Sequence, residues 1–185
     1  MMPEIAMNVL DVAENSVRAG ASLIEISVAV DQAADRLTIV IKDDGCGMTP
    51  EQVAHVEDPF FTTRTTRKVG LGVPFYKMAA LSTGGDFSIE SEVGKGTVVT
   101  AVFGLSHIDR MPLGDMPGTM HTLITFNTHI DFVYTYSYND QSFTLDTREF
   151  KQILGDVPLN APDVSQYIHD YLKEGTLETD GGAAI

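Results

Sequence analysis

The sequence is poor in cysteine, in basic residues and in long apolar runs, and each shortage excludes a class of protein. Its 185 residues include one cysteine, Cys46, so no disulfide can form within the chain, which suits a reducing cytoplasm. No apolar run approaches the roughly 18 residues that span a bilayer, and the N-terminus lacks the basic segment of a signal peptide. We therefore expect a cytoplasmic protein without a membrane segment.

Acidic residues outnumber basic ones by more than two to one, with 26 Asp and Glu against 12 Lys and Arg and a net charge of −14. Nucleic-acid binding needs a basic face, so this charge argues against a nucleic-acid partner. A chain this acidic that binds a polyanionic ligand has to do so with a metal ion and local dipoles.

Apolar periodicity predicts a first half of alternating helices and strands. Hydrophobic residues make up 43% of the chain, enough for a core. A helix is predicted over 3–19, a short helix opens at Thr49-Pro50, and another follows Gly72. Period-two patterns predict four strands, at 23–31, 36–43, 86–92 and 96–104. This order predicts an α+β sandwich, in which helices cover a mixed, mostly antiparallel sheet.

The composition changes near residue 104, and the second half carries no chemical motif. We expect a first domain over 1–104, a linker over 105–118, a small α+β C-terminal region over 119–176, and a flexible tail over 177–185. Within that region HTLITF, at 121–126, is expected to be a strand, and a helix over 163–174 is expected to end at Gly175. Alternating tyrosines, Tyr134, Tyr136 and Tyr138, predict one face of a strand, for core packing or for a partner.

Two polar side chains interrupt the amphipathic first helix. Asp11 and Asn15 lie four residues apart and project from one face, one turn from each other. Alone, such a pair is more typical of a solvated face than of a site.

Two glycine-containing loops add chemical possibilities. In Asp43-Asp44-Gly45-Cys46-Gly47 a carboxylate ends a strand, and a pure acceptor suits the exocyclic amine of adenine. Gly70-Leu71-Gly72 enters a helix, whose N-terminal N–H groups can bind phosphate. Alone, the first loop is more typical of a simple turn than of a site, and the second is as compatible with a helix entry as with a site.

The order of the motifs is more specific than any one of them. The Asp/Asn pair, D-x-G-x-G, PFFTT, G-L-G and GKGT together resemble the ATP-binding domain shared by sensor histidine kinases, gyrase B, Hsp90 and MutL, the GHKL or Bergerat-fold ATPases. LDVAENSVRAGAS is similar to the N box of MutL, whereas DPFFTTR, VGLGVPFYK and ESEVGKGT look like the histidine-kinase version. The resemblance covers about residues 5–103 and implies a Bergerat-fold α/β sandwich that binds ATP and Mg²⁺.

The resemblance implies a role for each matching residue. Asn15 would coordinate Mg²⁺, Asp43 would accept a hydrogen bond from the adenine amine, and Thr97 would support that contact. Gly45 and Gly47 would let the base approach, and Gly70, Leu71 and Gly72 would shape the phosphate end. Residues 57–69 would form a lid anchored in the core by Phe60 and Phe61. Arg64, Arg67 and Lys68 of that lid could reach the phosphates, although solvated loop charges are the simpler interpretation.

Asp11 decides the mechanism. In the ATPase and serine-kinase members a glutamate stands four residues before the Mg²⁺-binding asparagine and acts as the base; in many histidine kinases an asparagine stands there. The aspartate here could take a proton from water or from a hydroxyl, or, being shorter, could serve only as a partner of the metal's ligands. Both interpretations stay open at this point.

The expected function is regulatory. Only about ten residues precede the N box, so we expect no phosphoacceptor-histidine hairpin of the sensor-kinase type. The resemblance implies a stand-alone ATP-binding protein that acts as a Mg²⁺-ATP-dependent protein kinase or ATPase on or with a partner protein, as the anti-sigma serine kinases do. The alternative is a non-catalytic ATP-dependent protein-binding switch, and an ATPase fragment like those of MutL or gyrase is less favoured.

Overall fold

A computed structural model of the chain describes residues 3–60 and 72–185. The elements alternate in the predicted order through the first half and continue with further helices and strands. They are α1 (Ile5–Arg18), β1 (Leu23–Asp31), β2 (Arg36–Asp43), α2 (Pro50–Glu57), α3 (Gly72–Leu81), β3 (Asp86–Glu92), β4 (Gly96–Gly104), α4 (Met116–Phe126), β5 (Asp131–Tyr138), β6 (Gln141–Asp146), α5 (Thr147–Leu154) and α6 (Pro162–Asp180). None of the helices in these described ranges is long and apolar enough to cross a bilayer.

The strands form one six-stranded sheet in the order β3-β4-β2-β1-β5-β6. The β1–β5 pair is parallel and the other four pairs are antiparallel. Alternate residues of β1, among them Ile24, Ile26 and Val28, are buried, as a strand with one covered face requires. The predicted α+β class, with a mixed and mostly antiparallel sheet, is confirmed.

The second half of the chain continues the sheet of the first half. β5 pairs with β1 from Leu23 to Val30, and β6 pairs with β5. Tyr134 and Tyr136 of β5 are buried in the same core as α1, and the half-buried Tyr138 packs against it, so packing accounts for all three alternating tyrosines. The C-terminal α+β region therefore shares one hydrophobic core with the first half.

Residues 121–126 are helical, and the prediction of a strand there is wrong. They form the end of α4, which begins at Met116 inside the predicted linker. The Asp115 side chain caps this helix by accepting a hydrogen bond from the Gly118 N–H. Its buried residues, Met116, Met120, Leu123 and Ile124, recur at helical spacing. The six residues HTLITF were too short a window to show that period, and their β-branched residues resemble a strand.

The last helix does not end at Gly175, as predicted, but runs five residues further to Asp180. Gly175 is needed for packing, because a Cβ built on it would lie 2.6 Å from the ring of Phe143 on β6. The helix ends instead at Gly181, which has a left-handed φ of 65°. Beyond it, the Ile185 carbonyl accepts a hydrogen bond from the Leu113 N–H at 2.9 Å.

Gly175→Ala should destabilise the protein by about 1–3 kcal/mol, because the added methyl group overpacks against Phe143. Alanine otherwise favours a helix over glycine, so a loss isolates the packing effect. Urea unfolding followed by circular dichroism measures it. Lys173→Ala, an exposed change on the same helix, is the control and should stay within about 0.5 kcal/mol of the wild type. Equal or greater stability of Gly175→Ala would contradict the packing role.

Candidate functional site

The candidate site is a cavity of about 280 Å³ between α1, the loop after β2, and the sheet. Its walls are mostly apolar, with a few polar groups among them, which is the usual make-up of a small-molecule site. The lining residues are Val12, Asn15, Ser16, Arg18, Ala19, Asp43, Cys46, Gly47, Met48, Val56, Val73, Ile89, Thr97 and Val99. The cavity thus brings together Asn15, Asp43, Gly47 and Thr97, which are far apart in the sequence.

Asp43 is the buried carboxylate of this cavity, with 8% of its surface exposed. Its Oδ2 accepts a hydrogen bond from the Ser16 hydroxyl at 2.5 Å, and its Oδ1 accepts one from the Gly45 N–H at 2.9 Å. A carboxylate has about four acceptor positions, so these two bonds leave capacity for a ligand donor. Asp43 is therefore fixed in orientation and still able to accept a hydrogen bond.

The loop after Asp43 is tied to the turn between α1 and β1. The Cys46 N–H donates to the Ala19 carbonyl at 3.0 Å. The Asp44 carboxylate accepts hydrogen bonds from the Ser22 N–H, the Ser22 hydroxyl and the Leu23 N–H. The bond from the Ser22 side chain is the main cause that lowers the pKa of Asp44 below its usual value. Asp44 thus holds the loop rather than facing the cavity.

The two glycines of the loop are required by its own packing. Gly47 has a φ of +70°, and a Cβ there would lie 2.0 Å from the Glu92 carbonyl oxygen. A Cβ on Gly45 would lie 2.8 Å from the Cβ of Ala19. These contacts alone account for both glycines, so close approach of a base to them stays a prediction.

The pairing of β4 with β2 places Thr97 at the cavity, and its hydroxyl belongs to a small hydrogen-bond network. It pairs with Asp43 across β2 and β4, and its hydroxyl lies 2.8 Å from that of Ser91. The Ser91 hydroxyl donates to the Gly96 carbonyl and accepts from the Met48 N–H. Because Ser91 has used its one proton, Thr97 is the donor of the pair, and its oxygen accepts no hydrogen bond from residues 3–60 or 72–185.

Asn15 lies on the cavity wall beside Arg18, whose Nη1 donates to the Asn15 Oδ1 at 3.0 Å. Asp11 lies one turn earlier on α1 and does not line the described part of the cavity. Burial raises the pKa of Asp11, and the Arg18 charge partly offsets this. Asp11 accepts no hydrogen bond from any residue in the described ranges.

Gly72, the first residue of α3, packs directly against Asp11. A Cβ built on Gly72 would lie 3.3 Å from the Asp11 Cβ and 3.5 Å from its Oδ2. The predicted phosphate-end glycine therefore lies beside the predicted catalytic carboxylate. Gly70 and Leu71 lie outside the described residues, as do Phe61, Arg64, Arg67 and Lys68.

The expectation that Phe60 anchors the lid in the core is wrong. Phe60 is 91% exposed. Its N–H donates to the Asp58 Oδ1 at 2.8 Å in a tight turn just after α2. The Phe60 ring therefore lies outside the core.

Sequence reasoning missed Ser16, Arg18 and Ser91. A signal for Ser16 was present, since Val12, Ser16 and Ala19 recur at helical spacing on the face that lines the cavity. Arg18 likewise follows Asn15 by three residues. Ser91 could not be found this way, because its contacts with Met48 and Thr97 arise only once the strands pair.

Comparison with known proteins relates the first half of the chain to ATP-binding domains. The family model described as "Histidine kinase-, DNA gyrase B-, and HSP90-like ATPase" matches residues 4–107. The "Probable C4-dicarboxylate sensor kinase" of Bacillus subtilis (strain 168) is 32% identical over 78 residues, which are 42% of this chain and 15% of that protein. The "Sensor protein SrrB" of Staphylococcus aureus (strain NCTC 8325 / PS 47) is 33% identical over 101 residues, 52% of this chain and 17% of that protein.

The chain thus spans less than a fifth of the length of these curated relatives. Among solved structures, one titled "Crystal Structure of N terminal domain of a DNA repair protein" matches with a TM-score of 0.53 and 15% identity. The match covers 78% of this chain and 53% of the other. At this identity the likeness concerns the fold alone.

Asp11→Asn should raise the free energy of unfolding at pH 7, by less than about 1 kcal/mol because the half-exposed carboxylate is screened. Burial raises the pKa of Asp11 in the folded state, so ionisation at neutral pH destabilises the fold. As the pH falls through the Asp11 pKa the carboxyl is protonated, and the difference between variant and wild type should shrink. Urea unfolding at pH 7 and at acid pH measures this.

Glu14→Gln is the control, since it removes a carboxylate from the same helix without touching Asp11. A lower stability of Asp11→Asn at pH 7, with Glu14→Gln unchanged, would mean that attraction to Arg18 outweighs the burial cost.

Proposed function

Because the chain belongs to the histidine kinase-, DNA gyrase B- and HSP90-like ATPase family, we propose that it binds Mg²⁺-ATP in the cavity beside α1 and transfers or hydrolyses the terminal phosphate, acting on or with a partner protein. Membership of the family implies ATP binding. The phosphoryl transfer, the metal and the partner are our proposal.

The observation that carries the proposal is the buried Asp43 carboxylate in an apolar cavity. An apolar wall, including Val12, Ile89 and Val99, suits the faces of a purine. Asp43 offers a fixed acceptor to the exocyclic amine of the purine. Thr97 pairs with Asp43 across β2 and β4, so its hydroxyl oxygen offers a second acceptor nearby. The described lining thus combines the apolar surface and the directed polar groups that adenine recognition needs.

Asn15 is the residue we propose for Mg²⁺. Its carboxamide oxygen is a hard ligand of the kind that Mg²⁺ prefers. This oxygen accepts a hydrogen bond from the flexible Arg18 side chain, and a bond to the metal can replace it. In residues 3–60 and 72–185 no group of three or more His, Cys, Asp or Glu could hold a metal ion. That fits a metal held mainly by nucleotide phosphates and water. When bound, it would neutralise phosphate charge that this acidic chain does not offset by itself.

Asp11 is the residue we propose as the proton acceptor. Its raised pKa makes the carboxylate a better base at neutral pH than an exposed aspartate. Its oxygens are free of hydrogen bonds from the described residues, and Gly72 leaves them uncovered by a side chain. It would take the proton from the attacking water or from the hydroxyl of a partner protein, while charge neutralisation and positioning carry the rest of the reaction.

A regulatory role is supported by two relatives, one named a probable sensor kinase and the other a sensor protein. They match 78 and 101 residues of this chain. We therefore propose signalling through a protein partner as the context of the activity.

Asp43→Asn should weaken ATP binding by tenfold or more, because a hydrogen bond to a charged group contributes about 1.5–3 kcal/mol. Asp11→Asn should bind ATP within about threefold of the wild type and lose phosphate release by about 100-fold or more. Calorimetric titration with Mg²⁺-ATP and a phosphate-release assay measure the two effects.

Glu14→Gln, next to Asn15 on the same helix, is the matched control and should match the wild type in both assays. Circular dichroism checks that Asp43→Asn is folded, and Thr97→Val provides a milder test of the same pocket. Phosphate release unchanged in Asp11→Asn would exclude Asp11 as the base. Tight binding by the wild type without phosphate release would point to a kinase that requires its acceptor or to a binding switch.

A further inference from the structure

In residues 3–60 and 72–185 the buried apolar side chains of the sheet lie on one face, and the opposite face is uncovered. Along β1, β2, β4 and β5 these buried residues, which belong to the core shared with the helices, alternate with partly exposed ones. Successive side chains of a strand point to opposite faces, so the partly exposed set lies together on the other side. This set, which we call the uncovered face, comprises Glu25, Ser27, Ala29, Asp31, Arg36, Thr38, Val40, Lys42, Val98, Thr100, Val102, Val133, Thr135 and Ser137.

The middle of the uncovered face carries no charge. Strand pairing aligns eight small side chains in two neighbouring rows across four strands. The rows are Thr100, Val40, Ser27 and Thr135, then Val102, Thr38, Ala29 and Ser137. A charge-depleted centre with a polar rim is typical of a protein interface. The composition therefore fits a surface that packs against another protein surface.

Charged residues flank this centre at both ends, in an order that is complementary to itself. At one end Lys42 of β2 lies opposite Glu25 of β1, with 3.9 Å between Nζ and Oε2. At the other end Arg36 of β2 lies opposite Asp31 of β1. Both cations thus lie on β2 and both carboxylates on β1, and these are the two central strands of the six.

A two-fold axis that runs between β1 and β2, parallel to them, matches these charges across two copies of the chain. Rotation about this axis lays β2 of one copy on β1 of the other without changing the position along the strands. Lys42 then faces Glu25 of the second copy, and Arg36 faces Asp31. The order β3-β4-β2-β1-β5-β6 has three strands on each side of the axis, so the whole sheet is matched. Such a contact is isologous and closes at two copies.

The uncovered face is large enough for a stable dimer. Six strands at about 4.8 Å and eight residues a strand at about 3.3 Å give about 29 by 26 Å, or about 750 Å². A standard interface buries about 800 Å² on each partner. The small side chains also allow two sheets to approach to the usual separation of about 10 Å.

We propose that the chain forms a homodimer, in which the uncovered faces of two copies pack together about this two-fold axis. The candidate nucleotide cavity lies on the covered side of the sheet, beside α1, so the dimer contact does not close it. The inference does not rest on the proposed phosphoryl transfer, and its test needs no nucleotide.

The test is sedimentation equilibrium of the full chain at loading concentrations between about 1 and 200 µM, which bracket a micromolar dissociation constant. Interfaces of this size reach micromolar or tighter dissociation constants. We expect the mass to rise with concentration towards twice that of one chain and to stop there.

Charge reversal assigns the contact to the uncovered face. Lys42→Glu places two carboxylates opposite each other across the interface, and the two-fold axis makes this happen twice, so the dimer should weaken at least tenfold. Glu25→Lys should do the same with two cations. Lys173→Glu, which makes the same charge change at an exposed position of α6, is the matched control and should dimerise as the wild type does.

Mixing the two reversed variants tests the axis itself. In a mixed dimer every position 42 faces an opposite charge at position 25, so Lys42→Glu and Glu25→Lys should associate with each other although neither associates with itself. Circular dichroism checks that both variants are folded.

A single-chain mass at every concentration would overturn the proposal and leave the uncovered face to a different protein. A dimer that Lys42→Glu does not weaken, or reversed variants that fail to associate when mixed, would overturn it as well.

Discussion

The arrangement of the candidate nucleotide site depends on one buried carboxylate. Asp43 stands at the end of β2, where its two oxygens join the Ser16 hydroxyl of α1 to the Gly45 N–H of the following loop. A buried charge is tolerated only when hydrogen bonds compensate its lost hydration. The hydrogen bonds that compensate the burial of the Asp43 carboxylate therefore also hold α1 and the glycine loop at a fixed distance from the end of β2. Asp43 is surrounded in the cavity by Thr97, the glycine loop and the cavity-lining face of α1.

The strands of the first half could be predicted from the sequence because period-two patterns and turn residues agree there. Observed β1, β2, β3 and β4 have the predicted bounds, and the α2 start at Thr49-Pro50 is confirmed by a capping box between Thr49 and Gln52. α4 was not predicted, because its apolar period becomes visible only when Met116 and Met120 are counted with Leu123 and Ile124. The length of α6 was missed because a glycine that serves packing was interpreted as a stop signal.

The proximity of several candidate residues was predictable where the motifs have a fixed local spacing, whereas their roles stay predictions. Asn15, Asp43, Gly47 and Thr97 do meet at one cavity, while Asp11 and Gly72 meet beside it. Contacts between distant segments were not predictable, since they depend on how the strands pair. The Ser91 network is one example.

The parallel pairing of β5 with β1 has a consequence for the first half of the chain taken alone. Without β5, the N–H and C=O groups of β1 along Leu23 to Val30 would form an open sheet edge with a run of isoleucine and valine side chains. Open, flat and apolar edges of this kind pair readily with other chains and lead to aggregation. β5 thus covers this edge, so the first half of the chain is expected to need the C-terminal region in order to avoid self-association.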